Sequence, residues 1–254
     1  MIRFAQFATL LGVIAVPALG WFTQGWSGAT TLVVYWFETA LGCTLIAVRI
    51  SLHQRWTPRR GHFRYTAPDN GKTGARGSTF RSGFIITTAV FTAAHGVFLG
   101  FILFMLNRTA AGDFAEVNWR QVVQGCLCVA ALLLLDVAID LVTLRRWTFW
   151  QIEQTAQRGL SRVVVVHLTL VFGMAGAAFT GAPTALFSVF VILKTMASLS
   201  AVLPQYEPAR QPVWLSRFLN KIPNAHPGER FEDFWAKDRA DECARRERNE
   251  QPWP

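Results

Sequence analysis

The chain has 254 residues, of which 52% are hydrophobic and only 16% are charged. Soluble domains carry roughly 25% charged residues, and here the apolar residues form long runs instead of alternating with polar ones. Length and composition therefore exclude an ordinary soluble domain and predict an all-α, polytopic membrane bundle.

The net charge of +9 arises in one part of the chain. From Gln205 onward nine Lys and Arg residues face nine Asp and Glu residues, so the excess lies in residues 1–204, chiefly between apolar runs. A basic surface on a soluble domain would indicate nucleic acid, whereas basic loops between apolar runs are a topology signal. We therefore expect no nucleic-acid partner.

Six apolar runs follow one another, each close to the ~20 residues that span a ~30 Å hydrocarbon core. They are Phe4–Trp21, Ala29–Leu52, Ser82–Leu106, Gln121–Thr143, Val163–Thr180 and Pro183–Leu203. None has the alternating pattern of a barrel strand. Because lipid offers no partner to open backbone groups, six transmembrane helices are predicted.

The first run has a second interpretation. Arg3, a short apolar core and the small residues of VPALGW are also typical of a signal peptide. Since five more runs follow and only a short segment separates the first from the second, we interpret it as a retained helix kinked at Pro17.

Basic residues predict the orientation of the bundle. The segments His53–Arg81 and Leu144–Arg162 carry seven and four Lys or Arg residues, against one acidic residue each, whereas the other connections are uncharged or balanced. The positive-inside rule therefore places both termini and both basic segments in the cytoplasm, beneath a bacterial inner membrane. Anionic lipid headgroups are the expected partners of these segments.

The predicted domain boundary separates a membrane domain, residues 1–204, from a cytoplasmic tail, residues 205–254. An interfacial amphipathic helix is expected at about residues 212–222. Its apolar face would contain Trp214, Leu215, Phe218, Leu219 and Ile222. A charged helix at about residues 228–249 would dock through Phe231, Phe234 and Trp235 and be solvated beyond them, with partner binding as the alternative.

Ionisable residues inside the apolar runs are the candidate functional residues. At ~1.5 Å per residue from the external end of each run, Glu38, His95 and Lys194 lie about 14–16 Å deep, and His167 and Asp136 about 20–22 Å deep. An isolated charge at such a depth costs at least ~2.5–3.5 kcal/mol. The predicted site is therefore a buried polar layer of Glu38, His95, His167, Lys194, Asp136 and Tyr35, the last one turn before Glu38.

Within this layer Glu38 and Lys194 are expected to neutralise each other, and the imidazoles to bridge helices. Each residue also has a purely structural interpretation, because a buried ion pair often only fixes helix register. Asp140, Arg49 and Arg162 lie nearer the cytoplasmic ends, where they are expected to extend toward the interface or to pair.

Four short motifs support this choice of residues. They are YWFE in the second run, HGVF in the third, RVVVVH entering the fifth and LK in the sixth. These motifs resemble those of an uncharacterised bacterial multi-pass membrane protein family, a domain of unknown function. The resemblance covers most of Phe4 to Leu203. It implies family roles for Tyr35, Trp36, Glu38, His95, Gly96, Arg162, His167 and Lys194.

The sequence departs from the family pattern at several positions. Thr39 stands where the family tends to have Asn, and Ser198 and Val202 stand where it would have Asp and His. Leu135 and Asp136 replace a Ser–His pair. If those histidines hold a metal in relatives, this chain has lost part of that site. The resemblance implies no activity, since none is established for the family.

Three functions remain open at this point. The first is proton- or ion-linked transport or permeation, with Glu38, His95 and His167 relaying protons. The second is a membrane enzyme or redox subunit, in which the same three residues would form a two-His, one-carboxylate metal site, or one His would ligate haem. The third is a non-catalytic accessory protein, whose polar layer only locks the bundle.

No cofactor is predicted beyond that metal ion. The four cysteines, Cys43, Cys126, Cys128 and Cys243, contain no CxxC pair, and three of them lie in apolar runs. This pattern favours free thiols over a disulfide framework or a zinc site. Besides lipid, a second copy of the chain or another membrane protein is the expected partner.

Overall fold

The structure is a computed structural model, which describes residues 2–68, 79–108, 116–161, 163–164, 183–202, 211–221 and 230–254. In these ranges the regular structure is helical, apart from one isolated bridge between Arg59 and Pro252. The helices are α1 (Ile2–Thr23), α2 (Gly28–Trp56), α3 (Arg60–Phe63), α4 (Phe80–Arg108), α5 (Trp119–Thr143), α6 (149–161), α7 (Pro183–Val202), α8 (Val213–Leu219) and α9 (Phe231–Glu250). The predicted all-α fold is confirmed.

Four helices of the described part are long and apolar enough to cross a membrane. They contain Phe4–Thr23, Gly28–Trp56, Phe80–Phe101 and Trp119–Arg146, and they coincide with the first four predicted runs. The sixth run forms α7, a helix of 20 residues whose described apolar stretch is Phe187–Met196. The fifth run lies outside the described residues except for 163–164, so the described helices do not establish six spans.

The chain divides into two compact units. The apolar unit comprises Met1–Thr57 and Arg81–Leu203, and the tail unit comprises Pro58–Phe80 and Pro204–Pro254. Residues 58–80 therefore group with the tail unit, and the predicted domain boundary after residue 204 stays a prediction.

Helices α2 and α5 run side by side in the same direction. At their starts, the backbone N–H of Asn118 donates to the hydroxyl of Thr30 at 3.0 Å. At their ends, a ring nitrogen of His53 lies 3.0 Å from the carbonyl oxygen of Trp147, and the Arg145 guanidinium lies 4.9 Å from the ring centroid of Trp56. These contacts fix the register of the two helices at both ends.

Trp26 fills the junction at which α1, α2 and α5 meet. The turn before it requires a left-handed residue, which Gly25 supplies with φ of 63°. The indole packs against Gly20 of α1 and Gly125 of α5, where an added Cβ at Gly125 would lie 2.6 Å from the ring. Glycine at both positions therefore leaves the space that the ring occupies.

The predicted cytoplasmic loop Leu144–Arg162 is largely helical. A 3-10 turn at Leu144–Arg146 leads into α6, whose Phe149, Ile152 and Ala156 are buried. An added Cβ at Gly159 would lie 2.6 Å from Ile46 of α2, which shows how closely the two helices approach. The spacing of these apolar residues at three and four positions is that of a helix face packed on a core.

The tail unit contains α3, α8 and α9. Asn220, after α8, accepts a hydrogen bond from the backbone N–H of Phe231, and the ring of Phe231 packs on Trp235. At the far end of α9, Asn249 bonds to both the N–H and the carbonyl of Thr66. One face of the end of α9, with Arg245 and Asn249, is therefore packed, whereas the charge pattern had predicted a solvated end, because these polar side chains satisfy the backbone of Thr66.

Candidate functional site

An ion pair between α2 and α7 lies at the centre of the apolar unit. The ammonium nitrogen of Lys194 is 2.6 Å from Oε2 of Glu38, and the two side chains are only 1% and 3% exposed. Glu38 lies in the middle of α2 and Lys194 in the middle of α7, so both approach the pair from apolar surroundings. The apolar runs thus place opposite charges where neither reaches water in this conformation.

The aromatic ring of Tyr35 forms a third side of the site. Tyr35 precedes Glu38 by one turn of α2, and Lys194 Nζ lies 3.7 Å from the ring centroid. A desolvated cation over an aromatic face is attracted by the ring quadrupole, by about 2 kcal/mol. Lys194 is therefore held by a carboxylate and a π face together.

The Tyr35 hydroxyl is buried without a hydrogen-bond partner among the described residues. A buried polar group that lacks a partner costs about 1–3 kcal/mol. The ring thus contributes to the site through its face, while its hydroxyl is available to a small polar group.

Apolar side chains pack around one end of the ion pair. Tyr35 forms a buried cluster with residues from α2, α4 and α7, which are Leu32, Leu99, Phe187, Phe190 and Val191. Phe187 and Phe190 stack with ring centroids 5.2 Å apart, and Phe190 meets the Tyr35 ring edge at 5.9 Å. This cluster lies between the ion pair and the contact of the end of α1 with the start of α7, where the Trp21 indole donates to the Ser188 hydroxyl.

His95 is buried in α4, on the helix segment that approaches α2 most closely. Trp36 of α2 donates from its indole nitrogen to the carbonyl of Thr92 at 3.1 Å. An added Cβ at Gly96 would also lie 3.1 Å from that indole. The HGVF motif therefore has a packing explanation for its glycine, and His95 itself is 2% exposed in this interface.

Asp136 lies in a separate cluster, not beside Glu38. Arg49 of α2 bonds Asp136 through one guanidinium nitrogen and Asp140 through another, each at 2.6 Å. On α1, Gln6 donates to Asp140 and Thr9 to Asp136. Because Arg49 follows Glu38 by eleven residues, the two clusters lie about 16 Å apart along α2.

The remaining predicted residues are placed as follows. His167 and Arg162 lie outside the described residues, so the ligand set of Glu38, His95 and His167 is not assembled there. In the described part of the chain no group of three His, Cys, Asp or Glu side chains has a geometry suited to a metal ion. The metal site stays a prediction.

Sequence reasoning missed Gln6 and Thr9, the α1 partners of Asp140 and Asp136, and the buried imidazole of His53. Gln6 and Thr9 lie in a run that reads as hydrocarbon, and His53 had been placed in a basic loop. One signal was available, since eleven residues at 100° each bring Arg49 to within about 20° of Glu38 on the face of α2. That face carries Glu38, Arg49 and His53, and all three are buried.

The ion pair joins α2 and α7 electrostatically. The attraction between Glu38 and Lys194 needs both charges, so the loss of either charge would remove it. The apolar cluster around Tyr35 would still join the two helices.

Comparisons with known proteins give one match. No curated protein and no solved structure is significantly similar to the chain. Residues 2–213 match a family of unknown function, DUF6498, and this range covers the apolar unit and all of the motifs that had suggested such a family. The chain therefore belongs to the DUF6498 family.

Proposed function

We propose that the chain is a multi-pass inner-membrane protein in which the Glu38–Lys194 pair gates proton- or ion-linked transport or permeation. The observation that carries the proposal is the ion pair itself, closed at 2.6 Å between two helices and shielded from solvent. Intramembrane charges are costly, and they commonly mark ion pathways and proton relays.

The proposal includes six transmembrane helices, with both termini and both basic segments in the cytoplasm. Contacts of the described helices support alternating directions, because the end of α1 meets the start of α7 through Trp21 and Ser188. Fusions of a periplasm-active reporter and a cytoplasm-active reporter at residues 70, 113 and 181 test this topology. Activity of the cytoplasmic reporter at 113 or 181 would contradict it.

In the proposed cycle a proton from one aqueous phase binds a carboxylate oxygen of Glu38. The ion pair then becomes a neutral acid beside an ammonium, and the electrostatic attraction that helps to hold α7 to α2 is lost. Release of the same proton to the other phase restores the carboxylate and the closed pair. No other bond forms or breaks in this cycle.

Proteoliposomes that contain a pH-sensitive dye test the gate. The purified protein should dissipate an imposed pH gradient, and Glu38→Gln should abolish the flux because an amide cannot take up the proton. The double variant Glu38→Gln with Lys194→Met removes both charges, so it tests the same step without leaving an unpaired charge. Glu116→Gln, in an exposed loop, is the control. Equal flux through all variants would refute the proposal.

The accessory function is a second candidate, favoured by the complete burial of the pair. In this function the ion pair only fixes the register of α2 and α7. Its signature would be a double variant that folds, supports growth as the parent does and leaves proton flux unchanged.

The metal-binding function rests on fewer observations, because one of its three ligands lies outside the described residues. Elemental analysis and an absorption spectrum of the purified protein test it directly. A stoichiometric transition metal, or a Soret band, that is lost in His95→Ala would favour this function over transport.

A further inference from the structure

The exposed face of α8 combines aromatic and basic side chains. Val213, Trp214 and Phe218 are 64%, 71% and 60% exposed. At 100° per residue these three side chains and that of Arg217 fall within about 140° of the helix surface. Lys221, just after the helix, is exposed as well. A folded tail unit thus presents apolar groups and cations on one side.

This face differs from the one that the sequence predicted. Leu215 and Leu219 had been grouped with Trp214 and Phe218, but both are partly buried in the tail unit. On the opposite side Ser216 is buried, and α8 packs on α9. Asn220 fastens this packing through its bonds to Phe231 and Glu232. The outward direction of Trp214 and Phe218 is therefore fixed by the fold.

The charges that α8 and the residues next to it carry are of one sign, although the tail as a whole is neutral. Residues 211–221 contain Arg217 and Lys221 and no acidic residue, whereas eight of the nine acids of the tail lie at or beyond Glu229. Of those acids, Glu232 contacts this segment at Asn220. A helix with aromatic anchors and two cations is complementary to anionic lipid headgroups over an acyl boundary.

The size of the face distinguishes a bilayer from a protein partner. The seven residues of α8 extend only about 10 Å. A helix of this length is short for a stable protein interface, which buries about 800 Å² on each partner. A bilayer requires less area, because only ten residues connect α7 to α8 and this covalent link lowers the cost of association.

We propose that α8 is a membrane-surface anchor that binds anionic lipid headgroups through Arg217 and Lys221 and inserts Val213, Trp214 and Phe218 below them. This anchor is independent of the Glu38–Lys194 gate. Two basic residues near an anionic surface favour the inserted state by about 30-fold.

Spin labelling in nanodiscs tests the anchor with the full chain. A nitroxide is attached at Val213→Cys in a background without the four native cysteines, and Asp238→Cys on the exposed side of α9 is the control. Nanodiscs contain either zwitterionic phosphatidylcholine alone or a third of phosphatidylglycerol. Collision with oxygen reports the acyl region, and collision with a water-soluble nickel chelate reports water.

In anionic nanodiscs, oxygen should reach the label at 213 and the nickel chelate should not. The nickel chelate should reach the label at 238 in both membranes. Arg217→Gln with Lys221→Gln should reduce the ratio of inserted to water-exposed label at 213 by about 30-fold. Equal nickel access at 213 and 238 would overturn the anchor. Insertion that is the same in both membranes would overturn the anionic lipid as its partner, and a label shielded from both reagents would indicate a protein contact instead.

Discussion

Removing one charge of the Glu38–Lys194 pair should destabilise the protein far more than removing both. Lys194→Met leaves the Glu38 carboxylate buried without its ion-pair partner, and Glu38→Gln leaves the Lys194 ammonium buried without the carboxylate. Each single change should lower the free energy of unfolding by about 3–5 kcal/mol. The double variant leaves no unpaired charge, and both substitutions nearly preserve side-chain volume, so it should cost only about 1–3 kcal/mol.

The two single effects should therefore fail to add by at least about 3 kcal/mol. Reversible unfolding in mixed micelles at pH 7, with increasing SDS and detection by circular dichroism, measures all four members of this cycle. Tyr35→Phe is the control for local packing, since it keeps the ring under Lys194 and removes only the hydroxyl that has no partner among the described residues.

That control should be neutral or slightly stabilising, because it removes a buried polar atom that costs about 1–3 kcal/mol. If the single variants lose less than about 1 kcal/mol, the pair is solvated in the membrane and the burial argument is wrong. Strict additivity in the double variant would show that the two groups do not interact, and it would also remove the basis of the proposed gate.

Four further predictions follow from the same reasoning. Arg49→Gln leaves Asp136 and Asp140 without their shared cation and should cost about 3–5 kcal/mol in the same micelle assay, with Arg49→Lys recovering part of the loss. Gly125→Ala should lower the free energy of unfolding by about 1–3 kcal/mol, because the added methyl group would clash with the Trp26 ring. Gly42→Ala is the control and should be neutral or stabilising in the same assay, since an added Cβ there meets nothing within 4 Å. Hydrogen bonds from Arg245 hold the pKa of Glu242 below its ordinary value of 4.5. The contribution of Glu242 to tail stability should therefore be complete above pH 4.5 and be lost as the pH falls through the lowered pKa. Hydrogen exchange of α9 should show this pH dependence, and Glu242→Gln should abolish it. Trp253→Ala removes the ring that stacks on Phe63 at 4.9 Å and should speed hydrogen exchange in residues 58–66 several-fold, leaving α2 unchanged.

Much of the fold followed from patterns that are local in the sequence. Long apolar runs predicted the membrane-length helices because a span needs about 20 residues whatever surrounds it. A family of unknown function was expected from the resemblance, and the match over residues 2–213 confirms such a family. Depth counting placed Glu38 and Lys194 at similar levels, since rise per residue is the same in every helix.

The partners of Asp136 and the packing of the tail could not be read in this way. Counting gives the depth of Asp136 but not its azimuth relative to other helices, and only the contact of α5 with α2 shows that Arg49 is its partner. Likewise, a charged helix is solvated by default, and the burial of Arg245 depends on the backbone of Thr66, 179 residues away. Such contacts depend on tertiary packing, which leaves no periodic trace in the sequence.

The bonds between Thr66 and Asn249 also set an order of events during synthesis. The two residues are 183 positions apart, so the segment after α3 leaves the ribosome long before its partner exists. At about 5–20 residues per second that interval lasts about 10–40 s, during which the intervening apolar helices are made. The bonds between Thr66 and Asn249 therefore form only after α9 has been made, and the tail unit cannot complete its fold before then. In that interval its basic residues and open backbone groups are accessible to chaperones and proteases, so the yield of intact protein depends on how quickly α9 arrives.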